Sequence, residues 1–98
     1  MSERTSPTAD EVREFILARL ESHLAARGLE PAELDDSFDL LIEGVIDSFG
    51  IVELVMQLEE RFGFEVDFSG LDADDLTRIG PLSRHVEAQG RLDGAATG

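Results

Sequence analysis

The sequence predicts an all-α domain: a four-helix bundle with a long loop between helices one and two and a short third helix. Three observations carry that expectation. Residues 9–27 and Ser48–Phe62 repeat apolar side chains every three or four positions and are bracketed by helix start and stop signals. The one alternating run, Phe64-Glu65-Val66-Asp67-Phe68, has no second run to pair with, so it reads as an extended connector. Hydrophobic residues make up 42% of 98 positions, enough for the core of one compact domain but with little room for a deep catalytic cavity.

Helix one opens with a capping box in which Thr8 is the N-cap and Glu11 the third helical residue. Val12, Phe15, Ile16, Leu20 and Leu24 follow at helical spacing, and Gly28 closes the segment. The connection over residues 29–47 is long for a bundle. Its Leu34, Phe38, Leu40, Leu41, Val45 and Ile46 are too apolar for a solvated linker, so it packs across the bundle, with a short turn at Asp35-Asp36-Ser37. Helix two spans residues 48–62, with Asp47 and Ser48 competing for its N-cap and Gly63 following as C′. At about 100° per residue, Ile51, Leu54, Val55, Leu58 and Phe62 form the core stripe. Phe49, Glu53, Met56 and Glu60 fall opposite, flanked by Val52 and Glu59, as an apolar patch with an acidic rim suited to protein recognition. Residues 71–76 leave room for a single-turn helix three. Helix four starts between Arg78 and Pro81, with Thr77 or Gly80 as cap, and ends at Gly90. The organisation is a flexible N-terminus over residues 1–7, a domain over 8–89 and a disordered tail over 90–98.

Charge and composition exclude several functions. The net charge is −14 with no lysine, a surface that repels nucleic acid and anionic membranes and attracts basic partners. No apolar run is long enough to span a bilayer. The N-terminus lacks a basic segment followed by an apolar one, so no signal peptide is expected. Without cysteine there is no disulfide, thiolate metal site or cysteine nucleophile, which fits the cytoplasm. The acidic loop lacks the ordered ligand ladder of a calcium site, and no metal is expected.

Ser48 stands at the mouth of helix two, yet it lacks what a nucleophilic serine needs. The two histidines, His23 and His85, lie on other helices, and no Gly-x-Ser-x-Gly turn surrounds the serine. No catalytic residue is assigned. An exposed hydroxyl at a helix N-terminus does suit attachment of a phosphodiester by another enzyme, because the helix's free N–H groups favour the new negative charge. Asp47 keeps a carboxylate at that junction. A second reading stays open, in which Ser48 is only a helix cap and the domain is an acidic helical interaction adaptor.

The run GVIDSFGIVELVMQLEERFGFEV resembles the phosphopantetheine attachment region of acyl carrier proteins. Asp47-Ser48-Phe49 matches the Asp-Ser-Leu pattern, and Val52-Glu53-Leu54-Val55-Met56, Leu58-Glu59-Glu60 and Phe62 match the helix behind it. The likeness in layout covers residues 8–89. It implies a bundle of acyl-carrier type whose Ser48 receives 4′-phosphopantetheine from a phosphopantetheinyl transferase. The arm then holds acyl, aminoacyl or polyketide intermediates as thioesters. The resemblance further implies a monomer that meets an acyl- or aminoacyl-activating enzyme and downstream synthases or transferases through Asp47, Phe49, Glu53, Met56, Glu59 and Glu60.

The departures narrow the resemblance. Val45-Ile46 stands where housekeeping fatty-acid carriers have Gly-Ala, Phe49 replaces leucine, Gly50 replaces a commonly acidic residue, and Arg61 interrupts the glutamates. The Gly-Gly-x-Ser pattern of peptidyl carriers is absent. Residues 43–48 are closer to discrete carriers served by stand-alone activating enzymes, including D-alanyl carriers and those of specialised-metabolite pathways. A discrete biosynthetic carrier with unassigned cargo is expected.

Overall fold

The computed structural model describes residues 6–97, with side chains described for residues 6–92. Among the described residues there are five α-helices and one 3-10 turn: α1 (Ala9–Arg19), α2 (Glu21–Ala26), the turn Pro31–Glu33, α3 (Ser48–Phe62), α4 (Ala73–Leu76) and α5 (Ile79–Thr97). The expected bundle is present, with its first helix in two pieces. The capping box at Thr8 and Glu11 forms as the sequence predicts, the Glu11 N–H donating to the Thr8 hydroxyl at 3.1 Å and the Thr8 N–H to the Glu11 carboxylate at 2.9 Å. The break falls at Leu20, whose backbone leaves the helical region. Val12, Ile16, Leu20 and Leu24 are all buried at four-residue spacing. On a straight helix that spacing drifts about 40° per step, and the break lies midway along the stripe, where the drift is taken up. Gly28, in the left-handed region, closes α2 with Leu29 N–H donating to the Leu24 carbonyl at 2.9 Å, the Schellman pattern.

The loop after α2 packs into the bundle. Leu34, Leu40 and Val45 join the core, and Phe38 and Ile46 pack against it. Leu41, expected inside, is instead exposed, as is its neighbour Ile42, because Leu40 and Val45 already fill the inward positions. The loop's remaining anchors go to α5. The N–H groups of Ile79 and Gly80 donate to the carbonyls of Phe38 and Asp36 at 3.2 and 2.9 Å, and Leu40 N–H donates to the Thr77 carbonyl at 2.8 Å. Pro81 has no N–H, and Leu82 N–H reaches Arg78 at 3.0 Å. The orphan amides inside this helix start, those of Ile79 and Gly80, are thus paired without a side-chain cap, and Pro81 has none to pair. This corrects the expected caps: α5 begins at Ile79, so neither Thr77 nor Gly80 stands at its N-cap position, and Gly80 and Pro81 lie inside the helix. Thr77 turns away and donates its hydroxyl to the buried Asp39 at 2.7 Å.

Helix α3 buries Ile51, Leu54 and Leu58 and half-buries Val55 and Phe62. The Phe62 ring meets Phe15 of α1 edge-on at 5.9 Å. Each fully buried side chain of this size contributes roughly 1.5–3 kcal/mol. Residues 64–68 form the expected connector: Phe64 and Val66 are buried, and no strand forms among the described residues. It is tied down by Glu59, which accepts from Val66 N–H, and by Gln89, which accepts from Asp67 N–H.

Two terminal expectations change. Helix α5 does not end at Gly90 but runs to Thr97, taking in most of the expected tail; Gly98 lies outside the described residues. Gly90 is buried, and a Cβ there would come within 2.9 Å of Pro7 Cδ and 3.1 Å of Phe64 Cζ. The glycine serves close packing rather than helix termination. Pro7, assigned to the flexible N-terminus, is buried by this contact; residues 1–5 lie outside the described residues.

Candidate functional site

The site is the junction between the loop and α3. Asp47 adopts an extended backbone and its carboxylate accepts the Gly50 N–H at 2.8 Å, so Asp47 is the N-cap. Ser48 is the first helical residue, exposed, and its hydroxyl makes no hydrogen bond among the described residues. The competition between the two residues for the cap is decided for Asp47, which removes the basis for a serine that only caps. Apart from that cap, the first turn of α3 carries no acidic residue. The N–H groups of Ser48 and Phe49 have no intrahelical acceptors at this position and sit at the positive end of the helix.

Gly50 explains one departure at this junction. A Cβ on it would lie 3.0 Å from Ile46 Cβ and 3.4 Å from the Asp47 carboxylate, so the loop's approach and the capping bond leave it little room. Gly44 bends the approach through the left-handed region beside the Arg27 guanidinium.

The predicted outward face is largely assembled. Phe49, Val52 and Met56 are 70%, 55% and 61% exposed, covered neither by the loop nor by α4, and Glu53 and Glu60 are exposed with them. Glu59 is only half-exposed because it holds the connector through Val66. Sequence reasoning missed Ile42, 75% exposed in the approaching loop. The available signal was the adjacency of four apolar residues over 40–42 and 45, of which the core takes only two.

A groove of about 560 Å³ opens beside the serine, lined by Asp47 and Phe49 on either side of it in sequence and by His23, Leu41, Ile46 and Glu53. The other histidine, His85, stacks on Phe68 at 5.5 Å and contacts the Asp67 carbonyl at 2.6 Å. Among the described residues no group of three or more metal-ligating side chains forms.

Behind the junction, the buried Asp39 holds the loop in shape. Burial alone would raise its carboxyl. The Ile42 N–H, the Thr77 hydroxyl, the Leu41 N–H and the charge of Arg78 together outweigh that and hold it below the ordinary value of 3.8.

An acyl carrier protein of Chlamydia muridarum (strain MoPn / Nigg) is 30% identical over 78 residues, covering 80% of this chain and 90% of the relative. The chain belongs to the acyl carrier protein family. An acyl carrier protein of Chlamydia caviae is 28% identical over 80 residues, covering 82% of this chain and 92% of that protein. A D-alanyl carrier protein of Streptococcus pyogenes serotype M5 is 39% identical over 49 residues, half of this chain and 62% of the relative. No family model and no solved structure matches the chain. As a member of the acyl carrier protein family the chain is a carrier, and no helix among its described residues is long and apolar enough to cross a membrane.

Proposed function

We propose that this carrier takes 4′-phosphopantetheine on Ser48 and serves, as a discrete protein, a specialised-metabolite pathway. One observation supports the attachment above others: the Ser48 hydroxyl is exposed at the first position of α3 and released from capping by Asp47. The residues present fit the group. The helix start offers its N–H groups to a phosphodiester, and the first turn sets no second carboxylate against the added charge. Attachment exchanges the Ser48 O–H bond for an O–P bond as the pyrophosphate P–O bond of coenzyme A breaks and adenosine 3′,5′-bisphosphate leaves; the proton passes to a base on the transferase, since no side chain among the described residues is bonded to the hydroxyl. When bound, the group supplies a thiol that carries acyl, aminoacyl or polyketide cargo as a thioester.

The chain's own part is presentation. Phe49, Val52 and Met56 give a partner an apolar centre, while Glu53, Glu60 and, at the edge, Glu59 set charge around it. Such rim charges speed encounter and select partners with basic surfaces. The partners are a phosphopantetheinyl transferase, an acyl- or aminoacyl-activating enzyme and a downstream synthase or transferase, met by a monomer in the cytoplasm. The pattern over residues 43–48 supports the discrete-carrier assignment.

The test is intact mass after incubation with coenzyme A and a broad-specificity phosphopantetheinyl transferase. One phosphopantetheine is gained by the wild type and none by Ser48→Ala. A folded wild-type protein that gains no mass beside a working control carrier overturns the proposal.

A further inference from the structure

The groove beside Ser48 has a chemical character of its own. A second cavity, of about 270 Å³, continues it towards the break in the first helix, and the two share His23, Ile46, Gly50 and Glu53. The larger volume alone lies within the roughly 300–1,000 Å³ of small-molecule sites. Gly50 lines both cavities and carries no side chain to divide them, and a Cβ there would press on Ile46. Leu20 and Leu54, core residues of the bundle, form part of the second cavity's wall.

Among the described residues its lining charge is acidic: Asp47 and Glu53 line the larger cavity and no arginine does, the Arg27 guanidinium standing beside Gly44 at its edge. Arg19 reaches the smaller one, but its guanidinium is bonded to Gln57 at 3.0 Å and lies over the Phe15 ring at 5.7 Å. Leu41, Ile46 and Phe49 supply apolar walls, and His23 adds a hydrogen-bonding ring.

We propose that this trough between α2, the loop and α3 is the resting site of the distal arm, and that it favours a short thioester bearing a protonated amine. The inference rests on attachment at Ser48. The ammonium group faces Glu53 and the short acyl portion lies against Ile46 and Phe49. A carboxylated cargo meets like charge there, and an alkyl cargo has no cation to set against Glu53.

The test loads the full chain with coenzyme A derivatives carrying amide-linked glycyl, succinyl or octanoyl groups, verifies each by mass, and compares amide NMR shifts with those of the unacylated arm. The expected result is an added perturbation at His23, Gly44, Ile46, Gly50 and Glu53 with the glycyl arm, absent with the succinyl and octanoyl arms. Glu53→Gln and, separately, His23→Ala, each with unchanged circular dichroism, lose that added perturbation. Shifts confined to the first turn of α3 for every cargo, or equal shifts with glycyl and succinyl arms, overturn this inference and leave attachment standing. Failure to gain mass overturns both.

Discussion

The Asp47 carboxylate accepts the Gly50 N–H at 2.8 Å, and that bond separates two jobs that adjacent residues could have shared. Asp47 stabilises the start of α3, and Ser48 is left chemically available. Asp47→Ala is therefore expected to cost about 0.5–2 kcal/mol, the usual loss of an N-cap. Ser48→Ala should stay within about 0.5 kcal/mol of wild type, as surface changes away from such features do. Urea unfolding of the two variants checks the division, and the reverse order of cost would show the serine to be the cap.

Gly80 is held against the loop. A Cβ there would fall 2.7 Å from Asp36 Cγ and 3.0 Å from its Cα, while the Gly80 N–H is bonded to the Asp36 carbonyl. The obstacle is backbone that is itself pinned, and Arg13 and Arg84 both pair with the same Asp36. Gly80→Ala should destabilise by about 1–3 kcal/mol, the range for overpacking. A denaturation midpoint equal to that of wild type would contradict the packing.

Asp39 makes stability depend on pH with a definite sign. Its carboxyl titrates lower in the folded protein than in the unfolded chain, whose ordinary value is 3.8. Its contribution is complete above that unfolded value and is lost as pH falls through the lower folded value. Urea midpoints measured down an acid series should fall more steeply for wild type than for Asp39→Asn, which cannot ionise. Parallel slopes would remove Asp39 from the account of acid stability.

The outward face of α3 predicts a separation of folding from recognition. Met56→Ala and Glu53→Arg should change stability by no more than about 0.5 kcal/mol, because Met56 is 61% exposed and Glu53 faces water with it. Both should slow modification by the transferase, Glu53→Arg with a weaker dependence on salt. Unfolding of either variant would show that the face belongs to the core.

Ser83 is buried and its hydroxyl has no hydrogen-bond partner among the described residues. An unpaired buried hydroxyl costs about 1–3 kcal/mol, and alanine also favours helix more than serine. Ser83→Ala should raise the unfolding free energy by about 1 kcal/mol. A loss on thermal melting would mean that the hydroxyl does find a partner.

What was legible in the sequence was periodic or local. The stripe of Ile51, Leu54 and Leu58, the capping box at Thr8 and the terminating Gly63 follow from spacing along one helix, and the exposed Phe49 and Met56 follow from the same geometry. Features set by distant contacts were not legible. Thr77 carries a capping residue's chemistry but spends it on Asp39, 38 positions away. Gly90 looks like a stop signal and is instead the clearance for Pro7 and Phe64. His23 is unremarkable on its own helix and becomes part of the groove only when the loop comes to lie beside α2.

The bonds that join Asp36 to Gly80, Phe38 to Ile79 and Leu40 to Thr77 each span about forty residues, and every α5-side partner lies late in the chain. Contacts of such separation form slowly, because loop closure must precede their reward. During synthesis the ribosome delivers α3, with its capped start, well before it delivers the groups that fasten the loop. A nascent chain ending before residue 77 therefore presents Ser48 at the head of a helix whose approach is still unanchored. The junction is completed only when the final helix emerges.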